Sequence, residues 1–388
     1  MVGISRTATG SGGRSPQLDL LRGVAVLMVM FCHYPYFHFF RIGWAGVDLF
    51  FVLSGFLISG LLFTDWKRNG HISLKWFFVR RGFKIYPAFY FFLFTTAPVL
   101  LVTDQPFRRL GAELFFVQDY FPKIWGHTWS LAVEEQFYIL LPLLLLLISR
   151  LHNPERPFAV IPAISFLLCV GCLAMRVARH PVTGLDMLFL RIPLHLRADS
   201  LFVGVTMGYL FHFRRAIFDA MSKWWLLPVG LVALMPLCFY ANAPHFAPYV
   251  LTCNSIGFAC ILWWIIPRSN VRAPWVERVG VYSYSIYLWH FIFSAYSPLH
   301  QGVSKTTVLG FALFVAASIA VGMYMGNIVE FRVLKLRDKF FQYPPTASKS
   351  AAPLLPEFSA VIHRNGCTGS RSLLKRHHAG IDGPCSQK

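Results

Sequence analysis

Apolar runs near 20 residues recur from Leu20 to Val329, with no long polar block between them. A helix needs about 20 apolar residues to cross the hydrocarbon core. Each backbone N–H and C=O must find a partner inside such a segment, so the spans are expected to be helices. Charged residues make up only 14% of the chain, against about 25% in soluble domains, which agrees with a membrane protein. The polar stretch before Leu18 and the length of the first apolar run argue against a cleavable leader.

The pattern predicts an all-α bundle of ten membrane helices around a polar cavity. The expected spans are 19–39, 44–64, 84–103, 129–149, 158–177, 198–213, 224–241, 247–266, 281–299 and 306–329. The stretches 110–121 and 185–194 are too short to cross and read as interfacial or re-entrant. Three parts are expected along the chain. Residues 1–17 form a disordered lead segment, 18–341 the membrane domain, and 342–388 a disordered basic cytoplasmic tail rich in Pro, Ser, Gly, Lys and Arg.

A formal net charge of +19 first suggests nucleic acid, but no nucleic-acid-binding motif accompanies it. Sorted by the expected spans, 21 basic residues fall on the side of the N-terminus and nine on the other. That bias places both ends in the cytoplasm and explains most of the charge as a topology signal. Of eight cysteines, six sit in apolar segments. Cys169 and Cys172 form a CxxC inside an expected helix without a second pair, which reads as packing rather than as a metal or disulfide site.

Ionisable residues inside these spans are costly, so they are the candidates for function. Arg22 and His33 stand eleven positions apart in the first span, about 16 Å along a helix. His33 suits proton transfer, or it is a packing histidine bonded to a carbonyl. Arg22 is a candidate anion contact or a snorkelling anchor. Asp48 opens the second span, where it can orient His33 or pair with an arginine; Gly46, Ser54, Gly55 and Ser59 permit close helix contact.

Arg81 and Lys84, at the end of the first inner loop, share a face if that loop is helical. They can grip phosphate or serve as topology anchors. Ser130, Glu134 and Tyr138 recur every four residues, one helical stripe beginning beside Trp129. Ser130 as a cap with acids in the first turn explains part of this pattern but not the depth of the acids. Ser283, Tyr287 and His290 share a face of the ninth span, where interhelical hydrogen bonding is the simpler role.

The stretches LDLLRGVAVLMVMFCH, GVDLFFVLSGFLIS, RRGFKIYP, TWSLAVEEQFYILLP, RADSLFVG and SYSIYLWH occur in one order over residues 18 to about 330. Together they resemble the membrane-bound acyltransferase family 3, which includes bacterial O-antigen and exopolysaccharide O-acetyltransferases. The resemblance implies transfer of an acyl group, acetyl foremost, from a coenzyme A thioester to a hydroxyl of a cell-envelope or exported saccharide, in the bacterial inner (plasma) membrane. It implies acyl-coenzyme A as co-substrate, a saccharide or lipid-linked saccharide acceptor, and no tightly bound cofactor or metal.

On that resemblance His33 is the general base or a transient acyl carrier, with Asp48 or Glu134 orienting it or relaying the proton. Arg22, Arg81 and Lys84 hold donor phosphates. Trp129, Ser130, Tyr138 and His290 shape the acceptor side. Lys84 stands where the family commonly has arginine, which keeps the charge and loses the planar fork. Glu330 lacks the proline that often follows it in the family and carries little weight. Some relatives carry an extracytoplasmic esterase-like domain, which the 59 residues after Val329 are too few and too polar to form. The competing expectations are a transporter or flippase for a lipid-linked saccharide, which would use the same charges as a path, and a non-catalytic scaffold.

Overall fold

The computed structural model describes residues 15–34, 38–103, 106–151, 156–183, 192–239, 246–294 and 307–341. The expected tail and nearly all of the expected lead segment lie outside them. The described residues are helical, and no strand occurs among them. The principal helices are α1 (Pro16–Cys32), α2 (Gly46–Asn69), α3 (Leu74–Thr96), α4 (Arg108–Leu114), α5 (Trp129–Leu151) and α6 (Ile161–Thr183). There follow α7 (Ala198–Phe213), α8 (Arg215–Met221), α9 (Leu226–Ala233), α10 (Ala247–Ile265), α11 (Pro274–Val281), α12 (Ser283–Trp289), α13 (Val308–Met325) and α14 (Phe331–Phe340).

Among the described residues six helical stretches are long and apolar enough to cross a membrane: Ile42–Asn69, Leu74–Val102, Trp129–Leu151, Ile161–Arg179, Ala247–Ile265 and Val308–Phe340. A seventh candidate, Arg215–Met221 with Leu226–Phe239, is bent by 80°. Helix α1 has 17 residues and α7 has 16, about 25 Å each. Both are central. Ala25, Val26 and Met30 of α1 and Leu201 and Val205 of α7 have no exposed surface. The Val308–Phe340 stretch, only 17% buried, lies at the rim.

Small residues let the central helices touch backbone to backbone. A Cβ on Gly55 would lie 1.9 Å from the Leu201 carbonyl oxygen, and one on Gly204 would lie 2.1 Å from that of Val52. Helices α2 and α7 therefore cross with no side chain between them. Gly280 of α11 meets α1 in the same way, since a Cβ there would lie 1.7 Å from the Asp19 carbonyl oxygen.

Two local features depart from the sequence reading. The first span ends early: α1 stops at Cys32, and His33 is its C-cap rather than a mid-helix residue. The basic residues before the third span are not in a loop. Gly70 closes α2 in the left-handed conformation at φ 70°, where only glycine sits without strain. The Asp65 carboxylate then accepts the Ser73 N–H at 2.7 Å. This tight turn starts α3 at Leu74, so Arg80, Arg81 and Lys84 are helical and fold back onto the bundle.

Candidate donor cavity and histidine pair

A cavity of about 430 Å³ opens between α2, α3, α5, α12 and α14, with Arg22 of α1 at its edge. Five cations line it: Arg22, Arg80, Arg81, Lys84 and Arg337. The turn after Gly70 supplies three of them. The stripe read from the sequence is present, since Ser130, Glu134 and Tyr138 all face this cavity from α5.

Each wall group has defined partners. Glu134 accepts from Ser54 Oγ at 2.9 Å and from Tyr138 Oη at 2.7 Å. The Arg81 guanidinium lies over the Tyr138 ring, 4.6 Å from its centroid, which fixes the plane of its fork. Arg22 donates to Asp19 at 3.1 Å. Lys84 pairs with Glu330, and the other Glu330 oxygen accepts from Ser285 at 2.7 Å. Glu330 ends the π-helical turn Gly326–Glu330. A π turn carries an extra residue, and here the carboxylate it ends on is buried against Lys84 and Ser285.

The cavity lining stops at Ser130 and Tyr287, and His33 is not part of it. Tyr287 Oη donates to the His127 carbonyl at 2.9 Å and meets Ser130 Oγ at 2.5 Å. The Tyr287 carbonyl bonds the His290 ring at 2.6 Å, and that ring bonds His33 at 2.9 Å. Tyr287 thus has its side chain in the cavity wall and its main chain against the histidine pair. His33 also meets the Phe291 ring edge-on at 5.0 Å, and His127 stacks on Phe291 at 4.7 Å.

Several expected placements need correction. Asp48 does not reach His33. It is fully buried, ion-paired with Arg197 and bonded by Asn254 Nδ2 at 2.7 Å. A carboxylate in apolar surroundings demands a counter-charge, and the α2–α7 crossing brings Arg197 to it. The Arg197 guanidinium also lies 5.1 Å from the Phe51 ring centroid. The described hydrogen bonds of Glu134 go to Ser54 and Tyr138. Trp129 backs the wall, edge-on to Phe51 at 6.1 Å, without lining the cavity. His290 has no exposed surface, and its ring bonds His33. Arg176 and Arg197, both among the nine basic residues counted on the side away from the N-terminus, are buried ion-pair partners, Arg176 with Asp199 at 2.6 Å.

Sequence reasoning missed Arg80, Arg337, Ser54 and Tyr287 as cavity residues and His127 beside the histidine pair. Of these, Ser54, Arg80 and Tyr287 stood inside stretches already singled out. Among the described residues no group of three His, Cys, Asp or Glu side chains is placed to hold a metal ion.

The described residues thus define a helical bundle with membrane-length spans, a cation-lined cavity and a bonded histidine pair one residue behind its wall. The chain belongs to the membrane-bound acyltransferase family 3: the family profile, described as "Acyltransferase domain", matches residues 15–326. It is 26% identical over 366 residues to the peptidoglycan O-acetyltransferase OatA of Listeria monocytogenes, covering 86% of this chain and 58% of that protein. It is 28% identical over 307 residues to the O-acetyltransferase OatA of Staphylococcus aureus, covering 71% and 50%. It is 25% identical over 309 residues to the putative peptidoglycan O-acetyltransferase YrhL of Bacillus subtilis, covering 71% and 48%. The chain spans about half the length of these curated relatives. No solved structure matches it.

Proposed function

We propose that this chain transfers an acyl group, acetyl foremost, from coenzyme A to a hydroxyl of a cell-wall saccharide. The observation that carries the reading is the five-cation cavity standing one residue from a bonded histidine pair, in a chain of an acyltransferase family. Phosphates of the donor bind Arg22, Arg80, Arg81, Lys84 and Arg337. The fixed fork of Arg81 favours bidentate contact, and Lys84 acts as a point charge. The thioester end reaches toward Ser130 and Tyr287 and passes them to meet His33. The acceptor hydroxyl approaches His33 from the opposite side of the membrane. The names of the relatives support peptidoglycan as the first acceptor to try.

In the transfer His33 takes the hydroxyl proton as the oxygen attacks the thioester carbonyl. The new C–O bond forms, the C–S bond breaks, and the proton passes to the leaving thiolate. Products are the ester and free coenzyme A thiol. The basic end of the cavity is the cytoplasmic one in this reading, which puts both chain ends in the cytoplasm and makes ten crossings of the plasma membrane, with α1, α7 and the bent α8–α9 segment among them. The flippase reading is supported by neither the family nor the relatives.

The test is release of thiol from acetyl-coenzyme A by the purified protein with and without peptidoglycan fragments. Acceptor-dependent release, lost in His33→Ala, is expected. Release that persists undiminished in His33→Ala would remove His33 from the reaction. No release under any acceptor tried, with retained saccharide binding, would favour a non-chemical role.

A further inference from the structure

The main chain dictates which nitrogen of each histidine carries hydrogen. His290 stands where α12 tightens into the 3₁₀ turn His290–Phe293. Its Nδ1 lies 2.6 Å from the Tyr287 carbonyl oxygen. A carbonyl only accepts, so Nδ1 bears the hydrogen, and in a neutral ring Nε2 bears the lone pair. That Nε2 lies 2.9 Å from His33 Nδ1. His33 Nδ1 must then be the donor, and the lone pair of His33 is on Nε2.

We infer that His290 is a positioning residue: anchored on the Tyr287 carbonyl, it holds His33 in the Nδ1–H tautomer and makes His33 Nε2 the atom that accepts the hydroxyl proton. The inference rests on the transfer reading above and sharpens the part His33 plays in it. In many enzymes a carboxylate performs this task for a histidine base. Here the two carboxylates that the sequence offered are engaged elsewhere, Asp48 by Arg197 and Asn254 and Glu134 by Ser54 and Tyr138. The element that carries His290 also supplies Phe291, whose ring meets His33 edge-on. The 3₁₀ turn therefore provides both the acceptor and the wall that set the ring's orientation. The bond survives the reaction. When Nε2 takes the proton, Nδ1–H still donates to His290 and does so more strongly, because the donor is then charged.

Three substitutions in the full-length protein separate positioning from packing. In His290→Gln the amide oxygen stands near the place of Nε2 and still accepts from His33. In His290→Asn the amide reaches the Tyr287 carbonyl but falls short of His33. His290→Leu keeps bulk and removes both bonds. With acetyl-coenzyme A and peptidoglycan fragments as probes, Asn and Leu are expected to lower kcat by about 10²-fold or more, by analogy with loss of a histidine-orienting group. The donor KM should stay within about twofold, and Gln should remain within about tenfold of the parent kcat. Thermal unfolding of each variant accompanies the kinetics.

An unchanged kcat in His290→Asn or His290→Leu would overturn the inference. So would equal loss in all three variants in step with lost thermal stability. If the parent protein releases no thiol, the transfer reading itself fails. If the parent is active and His33→Ala is dead while His290→Asn is normal, only the tautomer assignment falls.

Discussion

Replacing Lys84 by alanine should damage two properties that a second substitution can pull apart. Lys84 lines the cavity proposed for the donor, and its ammonium group pairs with Glu330. The Glu330 side chain has no exposed surface and Lys84 has 29%. Alanine strands the carboxylate with Ser285 as its remaining hydrogen-bond donor among the described contacts. Breaking a fully buried pair by removing one partner costs about 3–5 kcal/mol. The partial exposure of Lys84 brings this to roughly 2–3 kcal/mol, since screening by water weakens the pair.

On the proposed function the donor should also lose one charge-assisted contact to phosphate, about 1.5–3 kcal/mol, or roughly 10- to 150-fold in half-saturation. Changing Glu330 to glutamine as well removes the stranded charge. The double variant Lys84→Ala/Glu330→Gln should regain most of the stability and none of the donor affinity. Thermal unfolding in detergent reads the first quantity, and titration with acetyl-coenzyme A reads the second. A Lys84→Ala protein as stable as the parent would refute the buried-pair argument. A double variant with parental donor half-saturation would refute the role of Lys84 in phosphate binding.

Further expectations rest on other contacts. Arg81→Lys keeps the charge but loses the planar group over Tyr138, so the donor half-saturation should rise about tenfold with kcat little changed; an unchanged titration would remove Arg81 from the donor site. Asp48→Asn leaves Arg197 buried without a counter-charge and should cost about 3–5 kcal/mol in stability, while folded protein keeps its kcat; a selective loss of kcat would return Asp48 to the chemistry. Glu113 lies outside the spans, and burial pushes its carboxyl up to about 7 although Thr128 and the Ile124 and Trp125 amides bond it. A raised acid binds more protons folded than unfolded between its ordinary value and 7, so stability should fall as pH rises through that window, by at most roughly 3 kcal/mol. Thermal melts from about pH 4.5 to 8 should show that slope and show it flattened in Glu113→Gln; parallel curves for the two proteins would contradict it.

Much of the candidate site was legible where local spacing carries it. The four-residue recurrence of Ser130, Glu134 and Tyr138 forces one helical face whatever that face meets, and all three line the cavity. Arg81 and Lys84 share a face for the same reason, although the sequence put them in a loop. The helix starts at Leu74 because of a turn that depends on Gly70 and on the Asp65–Ser73 bond. Partnerships across the chain left no such mark. Glu330 looked peripheral, yet it pairs with a lysine 246 positions away. Asp48 could by sequence orient His33 or pair with an arginine, and only the packing chose the arginine and named it as Arg197.

The sequence by itself determined that this chain is a membrane bundle of helices and which helical faces are polar, because lipid tolerates only self-satisfied backbone and few charges. Which buried charge meets which was decided by tertiary structure alone. Ion pairs and tautomers depend on angstrom distances between helices, and here those distances follow from crossings such as Gly55 on Leu201 and from turns such as Gly326–Glu330. Spacing along one helix fixes a face; only packing fixes what that face touches.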